Sequence, residues 1–293
     1  MKRRRFLSGI GGGFSLALGS RHLLAGTATA ENIAKPAADQ SSALFRFAAL
    51  GDVGTGNIGQ MAIAEAMNGY FQQHPFELVL MTGDNIYEDG NIRRVGATFS
   101  KPYHFLRKQG VPFYAVLGNH DVLFRNGVEQ VKFSGFNMGG RYYTLTQGAV
   151  QFFALDSNDP NWKVQLAWLE QNLAESTAAW KIVFAHHPLY SSGLHGSSEK
   201  LITMLSPLFK RYGVQLYING HDHNYERTES INGTTYLTVG AGAKTRPVFS
   251  SDWTARSAAK LSFAAIAIYP QRLSIQGIEK NGKVFDRGEI AVS

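Results

Sequence analysis

Apolar runs bounded by glycine and polar clusters recur along the chain, and their spacing predicts strands and helices in alternation. Residues 44–50 read as a strand, Ile58–Gln73 repeats its apolar positions at helical spacing, and residues 78–82 are again a short apolar strand. Residues 98–108 read as a helix and 113–117 as the next strand. This βαβαβ order predicts a parallel sheet with both faces covered. The middle of the chain changes character. Residues 141–146 and 150–155 read as an antiparallel pair around Gly148, and 164–173 as a helix with Trp168 and Leu169 on its apolar side. A strand at 181–185, a helix at 200–212 and a strand at 214–218 follow, and from Thr228 onward the pattern is strands only. Ile231-Asn232-Gly233-Thr234 and Lys280-Asn281-Gly282-Lys283 read as hairpin turns, because Asn-Gly accepts positive φ at both central positions. Asn232-Gly233-Thr234 also has the form of a glycosylation acceptor, but the turn is the preferred reading.

The length of 293 residues suits one large domain or two small ones, and 44% hydrophobic with 17% charged residues is enough to build a core. The formal net charge of +7 suggests a nucleic-acid binder at first sight. Removing Lys2, Arg3, Arg4, Arg5 and Arg21 leaves 24 bases against 22 acids, a net of +2, so the body carries no broad basic footprint for nucleic acid. The sequence has no cysteine, which excludes disulfides, thiolate catalysis and cysteine-based metal sites.

The first thirty residues read as an address. Arg3-Arg4-Arg5-Phe6-Leu7 precedes an uncharged, glycine-rich stretch, and Ala28-Thr29-Ala30 has the small-x-small form of a cleavage site. The arginines followed by Phe-Leu resemble the bacterial twin-arginine signal. The expected organisation is a signal at 1–30, a flexible lead-in at 31–43 and a catalytic domain at 44–293, with a periplasmic or secreted location reached through the twin-arginine machinery. No segment reads as a stable membrane span.

Five short clusters each follow a predicted strand: Gly51-Asp52-Val53-Gly54, Gly83-Asp84-Asn85-Ile86-Tyr87, Gly118-Asn119-His120-Asp121, Val183-Phe184-Ala185-His186 and Gly220-His221-Asp222-His223. Ligand sites of open α/β sheets lie beyond the carboxyl ends of the strands, so five such clusters can converge. Glycine is expected to let the chain turn sharply off each strand end. Asp, Asn, Tyr and His are hard oxygen and borderline nitrogen donors, suited to Fe(III), Mn, Zn or Co.

In this order the clusters resemble the five signature motifs of the purple acid phosphatases: Gly-Asp-x-Gly, Gly-Asp-x-x-Tyr, Gly-Asn-His-Asp/Glu, Val-x-x-His and Gly-His-x-His. Other calcineurin-like metallophosphoesterases usually begin with Asp-x-His. Here Gly54 stands at that histidine's place and Tyr87 accompanies the change, as in the purple enzymes. The resemblance implies a small, single-domain bacterial member with an α/β fold, a four-layer α/β/β/α sandwich of two packed mixed sheets. It implies Fe(III) at a first site held by Asp52, Tyr87 and His223. A divalent iron, zinc or manganese ion is implied at a second site held by Asn119, His186 and His221, with Asp84 bridging the two. It implies hydrolysis of small phosphomonoesters by a metal-bound hydroxide, releasing inorganic phosphate, with His120 as proton donor, Asp121 orienting it, and His195 as a second active-site histidine in a loop that reads as flexible. Arg125, Arg141 and Arg246 are candidate substrate contacts. His187 reads as structural, His74 and His104 as surface residues, and Asp222 as a support for the ligands beside it.

Three other readings compete. One is a metallophosphodiesterase with two divalent ions. Another is a dinucleotide-dependent oxidoreductase built on Gly54-Thr55-Gly56-Asn57-Ile58-Gly59, with Asp84 as the ribose acid; it leaves the three later histidine-bearing clusters unexplained. A third is a non-catalytic phosphate-binding protein, against which all seven ligand positions being filled argues.

Overall fold

The computed structural model describes residues 42–292. The expected signal at 1–30, and nearly all of the lead-in at 31–43, lie outside the described residues. The chain runs β1 (Phe45–Leu50), α1 (Ile58–Gln73), β2 (Leu78–Met81), α2 (His104–Lys108), β3 (Phe113–Ala115), α3 (Val128–Val131), β4 (Tyr143–Gln147) and β5 (Val150–Ala154). It continues through α4 (Trp162–Glu175), β6 (Trp180–Phe184), α5 (Glu199–Tyr212), β7 (Leu216–Asn219), β8 (Tyr225–Thr228) and β9 (Thr235–Val239). It ends in β10 (Thr254–Ala258), β11 (Ser262–Ile268), β12 (Arg272–Glu279) and β13 (Val284–Ala291).

Two mixed sheets result, one of six strands in the order β13-β12-β11-β1-β2-β3 and one of seven in the order β10-β8-β9-β7-β6-β5-β4. The period of two along each strand explains how they stack. In β1, Phe45, Phe47 and Ala49 enter the layer between the sheets, where they meet Phe152, Ile182, Phe184, Leu216 and Ile218 of the other sheet. The alternate residues Ala48 and Leu50 face a second layer with Ile63, Ala64 and Met67 of α1. On the far side, Val183 and Tyr217 pack under Leu169 and Leu173 of α4 and Leu205 and Phe209 of α5. These three apolar layers separate four structural ones, which is the expected α/β/β/α sandwich.

A polar tie joins the sheets at one edge. Asp286 of β13 accepts from Tyr225 Oη at 2.7 Å and from Arg227 Nε and Nη2 of β8 at 2.7 and 3.0 Å.

Two local expectations change. The helix expected over 98–108 is broken: Gly96–Ser100 forms a wide π turn, and regular helix resumes only at His104. Pro102 lacks the amide hydrogen a continuous helix needs there. The hairpin at Asn232-Gly233 has positive φ at both residues, 54° and 92°. At Asn281-Gly282 only Gly282 is left-handed, at 82°, and the β12–β13 register shifts at Gly277/Ile278. The Glu279 amide donates to the Lys283 carbonyl, which closes a three-residue loop, and in such a loop only one residue needs positive φ.

Candidate metal centre

Parallel strands direct their carboxyl ends to one edge of the sandwich. From the six-stranded sheet, β1 delivers Asp52, β2 delivers Asp84 and Tyr87, and β3 delivers Asn119 and His120. From the seven-stranded sheet, β6 delivers His186 and β7 delivers His221 and His223. At three ends the chemical residues themselves are left-handed, Asp52, Asp84 and His221 with φ of 56°, 52° and 69°, and at the β2 end Gly83 shares the turn as expected, with φ of 91°. Such backbone costs about 1–3 kcal/mol at a residue other than glycine and persists only where its surroundings impose it. The glycines serve close approach. At Gly54 a Cβ would lie 2.3 Å from the backbone of Asn85 and Ile86.

Two triads of donor atoms stand side by side. In the first, Tyr87 Oη lies 3.2 Å from Asp52 Oδ1 and 3.1 Å from His223 Nε2, and His223 Nε2 is 3.4 Å from Asp52 Oδ1. In the second, Asn119 Oδ1 lies 2.9 Å from His186 Nε2 and 3.0 Å from His221 Nδ1, and the two imidazole nitrogens are 3.2 Å apart. Asp84 reaches both: its Oδ1 is 3.6 Å from His186 Nε2, and its carboxylate hydrogen-bonds Tyr87. Asp52, Asp84 and Tyr87 are buried, as is His186.

These spacings fit metal ions. Ligand atoms each about 2.0–2.2 Å from one ion are separated from one another by about 3.0–3.5 Å. The second triad makes the case independently. His186 Nδ1 donates to the Thr82 carbonyl at 2.8 Å, which leaves Nε2 as a lone pair aimed at another acceptor, Asn119 Oδ1. Burial, then the neighbouring His187, hold His186 well below the usual histidine pKa, so it does not gain a second proton to relieve that contact. A cation between the two would relieve it. The electrostatics of the rest agree. Burial, with Asp84 beside it, pushes the Asp52 carboxyl well up. Burial and the surrounding imidazoles push His221 down, and burial and Arg246 push His223 down to about 4. Neutral imidazoles around crowded carboxylates form a cage whose charge a bound cation would balance.

His120 sits beside the first triad, its ring centroid 4.7 Å from that of Tyr87. Its Nδ1 donates to the Glu88 carbonyl at 2.5 Å and its amide to Asp84 Oδ1 at 3.0 Å, which leaves Nε2 free. The orienting partner is therefore Glu88 and not Asp121. Asp121 is buried beneath the loops, where its carboxylate accepts from the amides of Asn85, Ile86 and Gly118 and from the side chains of Asn85 and Gln130. It clamps the β2 and β3 loops together, against burial and the charge of Asp84, which push its carboxyl up to about 7.

His195 stacks over His221 at 4.2 Å between centroids, and its Nε2 is 2.5 Å from Arg246 Nη1. Its loop, which reads as flexible, is pinned. Asp222 accepts from Ser191 Oγ and from the His195 amide, and buried Glu226 accepts from the Ser192 amide and hydroxyl. His187 comes nearer than expected: its ring is 4.5 Å from that of His221, while its Nδ1 is 2.7 Å from Ser157 Oγ. His74 and His104 are exposed, as expected. Of the candidate arginines only Arg246 reaches the centre. Arg125 pairs with Glu129 at 2.7 Å and Arg141 with buried Asp156 at 2.6 Å. Sequence reasoning missed Glu88 and Lys244. Lys244 Nζ lies 4.5 Å from the Tyr87 ring centroid and 3.7 Å from Glu88 Oε1. The available signal was the Gly240-Ala241-Gly242-Ala243 run after β9, followed by Lys244 and, beyond Thr245, by Arg246.

The dinucleotide reading loses its glycines to packing. Gly54 accommodates the β2 loop, and a Cβ at Gly59 would meet the Ala243 carbonyl oxygen at 2.4 Å.

Comparison with known proteins follows the same lines. The calcineurin-like phosphoesterase family profile matches residues 45–225. Purple acid phosphatase 7 of Arabidopsis thaliana is 31% identical, over 73% of this chain and 75% of that protein. Among solved structures, GAP50, titled the anchor in the inner membrane complex of Plasmodium, superposes with a TM-score of 0.75 at 22% identity, over 86% of this chain and 90% of that one. A purple acid phosphatase from yellow lupin seeds superposes with a TM-score of 0.73 at 20% identity, over 86% of this chain and 54% of the lupin chain. The two structures speak for the fold alone. The profile match spans all five clusters, and the chain therefore belongs to the calcineurin-like phosphoesterases, with purple acid phosphatases among its homologues.

Proposed function

We propose that the chain is an acid phosphatase that hydrolyses phosphomonoesters at two metal ions. The observation that carries this is the pair of donor triads, Asp52/Tyr87/His223 and Asn119/His186/His221, with Asp84 within reach of both. Ferric iron is the ion proposed for the first triad and divalent iron, zinc or manganese for the second. Once bound, the ions supply positive charge for the phosphate oxygens and lower the pKa of water at the site.

The chain's own residues provide the remainder. His120, fixed through Nδ1 by the Glu88 carbonyl, presents Nε2 for proton donation to the leaving oxygen. Arg246, whose Nη1 lies 2.5 Å from His195 Nε2, brings a cation beside the second triad, suited to a phosphate oxygen of the substrate. Asp121, Asp222 and Glu226 hold the loops that carry these groups, so the constellation is set before substrate arrives.

Elemental analysis combined with p-nitrophenyl phosphate turnover tests the reading. Two metals per chain and turnover abolished by chelation are expected; turnover without metal would sink it. Ferric iron on Tyr87 gives the protein a visible charge-transfer colour that Tyr87→Phe removes. A colourless, active enzyme after oxidation with iron present would leave the phosphoesterase and end the iron–tyrosine reading.

Export by the twin-arginine route, to the periplasm or beyond the cell, belongs to the same proposal, as does membership of a small, bacterial branch. It is supported by Arg3-Arg4-Arg5-Phe6-Leu7 and Ala28-Thr29-Ala30, which lie outside the described residues. Replacing Arg3 and Arg4 with Lys should hold folded enzyme in the cytoplasm, and unchanged export would point to the general secretory route. Among the described residues no helix is long and apolar enough to cross a membrane.

A further inference from the structure

We infer that Lys244 is a tuning residue for the first metal: its ammonium, held over the ring of Tyr87, sets how strongly the phenolate donates to ferric iron. The inference rests on the reading of Tyr87 as a ferric ligand.

The geometry starts with the loop after β9. Lys244 Nζ lies 4.5 Å from the Tyr87 ring centroid, and among the described residues no other lysine or arginine lies over that ring. Glu88 tethers it, Oε1 to Nζ at 3.7 Å. Glu88 follows Tyr87 directly in the chain, so the cation is held by the same loop that carries the phenol. The same residue's carbonyl holds His120. One residue thus fixes both groups that flank the tyrosine ring.

The charges around Tyr87 give this contact a purpose. The phenol is buried beside Asp52 and Asp84, and both carboxylates oppose a second negative charge there. A cation on the ring face opposes them through the ring quadrupole and, once the phenol ionises, through its full charge. Its effect on donation has a definite sign. An ammonium near the ring lowers the energy of the filled π orbital more than that of the more distant iron d orbitals. Excitation moves an electron from ring to iron, away from the cation, so Lys244 raises the transition energy. A weaker donor also stabilises Fe(III) less relative to Fe(II), so Lys244 raises the midpoint potential. Partners outside the ligand shell commonly tune metals in this way. The competing role for a half-exposed lysine at the mouth is to hold the substrate's phosphate, and that role would move KM and leave the iron alone.

The test uses the full chain loaded with iron and oxidised, with visible absorption and the midpoint potential measured for wild type, Lys244→Met and Lys244→Arg, and iron content as the control. The expected result is a band at longer wavelength and a lower potential in Lys244→Met, with Lys244→Arg close to wild type in both. A Lys244→Met protein with full iron and an unmoved band and potential overturns the inference, whatever happens to KM. A wild-type protein that binds ferric iron without a visible band overturns the tyrosine–iron reading, and this inference with it.

Discussion

The backbone amide of Tyr87 donates to the carbonyl of Gly54 over 2.7 Å, and the amide of Gly54 donates to the carbonyl of Asp84 over 3.1 Å. The loop after β2 therefore lies directly on the loop after β1, and the absent side chain at position 54 is what permits it. A side chain there and a tyrosine reaching the first triad exclude each other in this backbone. Gly54→Ala should push the β2 loop outward and draw Tyr87 Oη away from Asp52 and His223. The expected outcome is a loss of about 1–3 kcal/mol in a denaturant melt, with the visible colour of the iron-loaded protein weakened or absent. Unchanged colour and stability would show that the loops have room to spare.

Asp84 is the residue placed to serve both triads. Asp84→Ala should lose both metals together, leaving phosphatase activity at the level of chelator-stripped enzyme. Two retained metals per chain would remove the bridging role.

His120 is held by a carbonyl and has no place in either triad. His120→Ala should keep its metals and lower kcat by roughly 10²–10⁴-fold on alkyl phosphates. The loss should shrink on p-nitrophenyl phosphate, whose leaving group needs no proton. Equal losses on both substrates would assign His120 to positioning alone.

Asp286 carries a prediction about acid stability. Burial pushes its carboxyl up, but hydrogen bonds from Arg227 and Tyr225, with the arginine's charge, outweigh burial and hold it below the usual carboxylate range. A carboxyl depressed on folding adds stability that is full above its unfolded pKa of about 4 and is lost as pH falls through the lower folded value. Asp286→Asn should therefore cost roughly 2–4 kcal/mol at neutral pH, since it leaves Arg227 unpaired. The gap from wild type should narrow below pH 4. A gap independent of pH would mean that the loss is one of packing.

The sandwich and the convergence of the five clusters were legible because each cluster is a local signal: apolar strand, glycine, then polar side chains. The period of two along β1 puts Phe45 and Phe47 on one face and Ala48 and Leu50 on the other. What stayed hidden depends on partners distant in sequence. Asp121 looked like the orienter of its neighbour His120, yet its carboxylate is drawn to amides 35 and 36 residues earlier. The 191–198 loop has the composition of a mobile segment, but two buried carboxylates 31 and 34 residues later hold it. Lys244 acts on a ring 157 positions before it, and no local pattern announces that meeting. Pro102 is a different case, a local breaker visible inside the helical pattern of 98–108.

Each triad draws from both sheets: Asp52 and Tyr87 meet His223, and Asn119 meets His186 and His221. An ion held this way is a rivet through the seam of the sandwich, since neither sheet alone can grip it. Affinity for metal and cohesion between the sheets then become one thermodynamic quantity seen from two sides. Stripping the ions should soften the whole β-sandwich, lowering its melting temperature in proportion to metal occupancy. In the other direction, any substitution that loosens the Phe47–Phe152 layer should weaken metal binding from a distance.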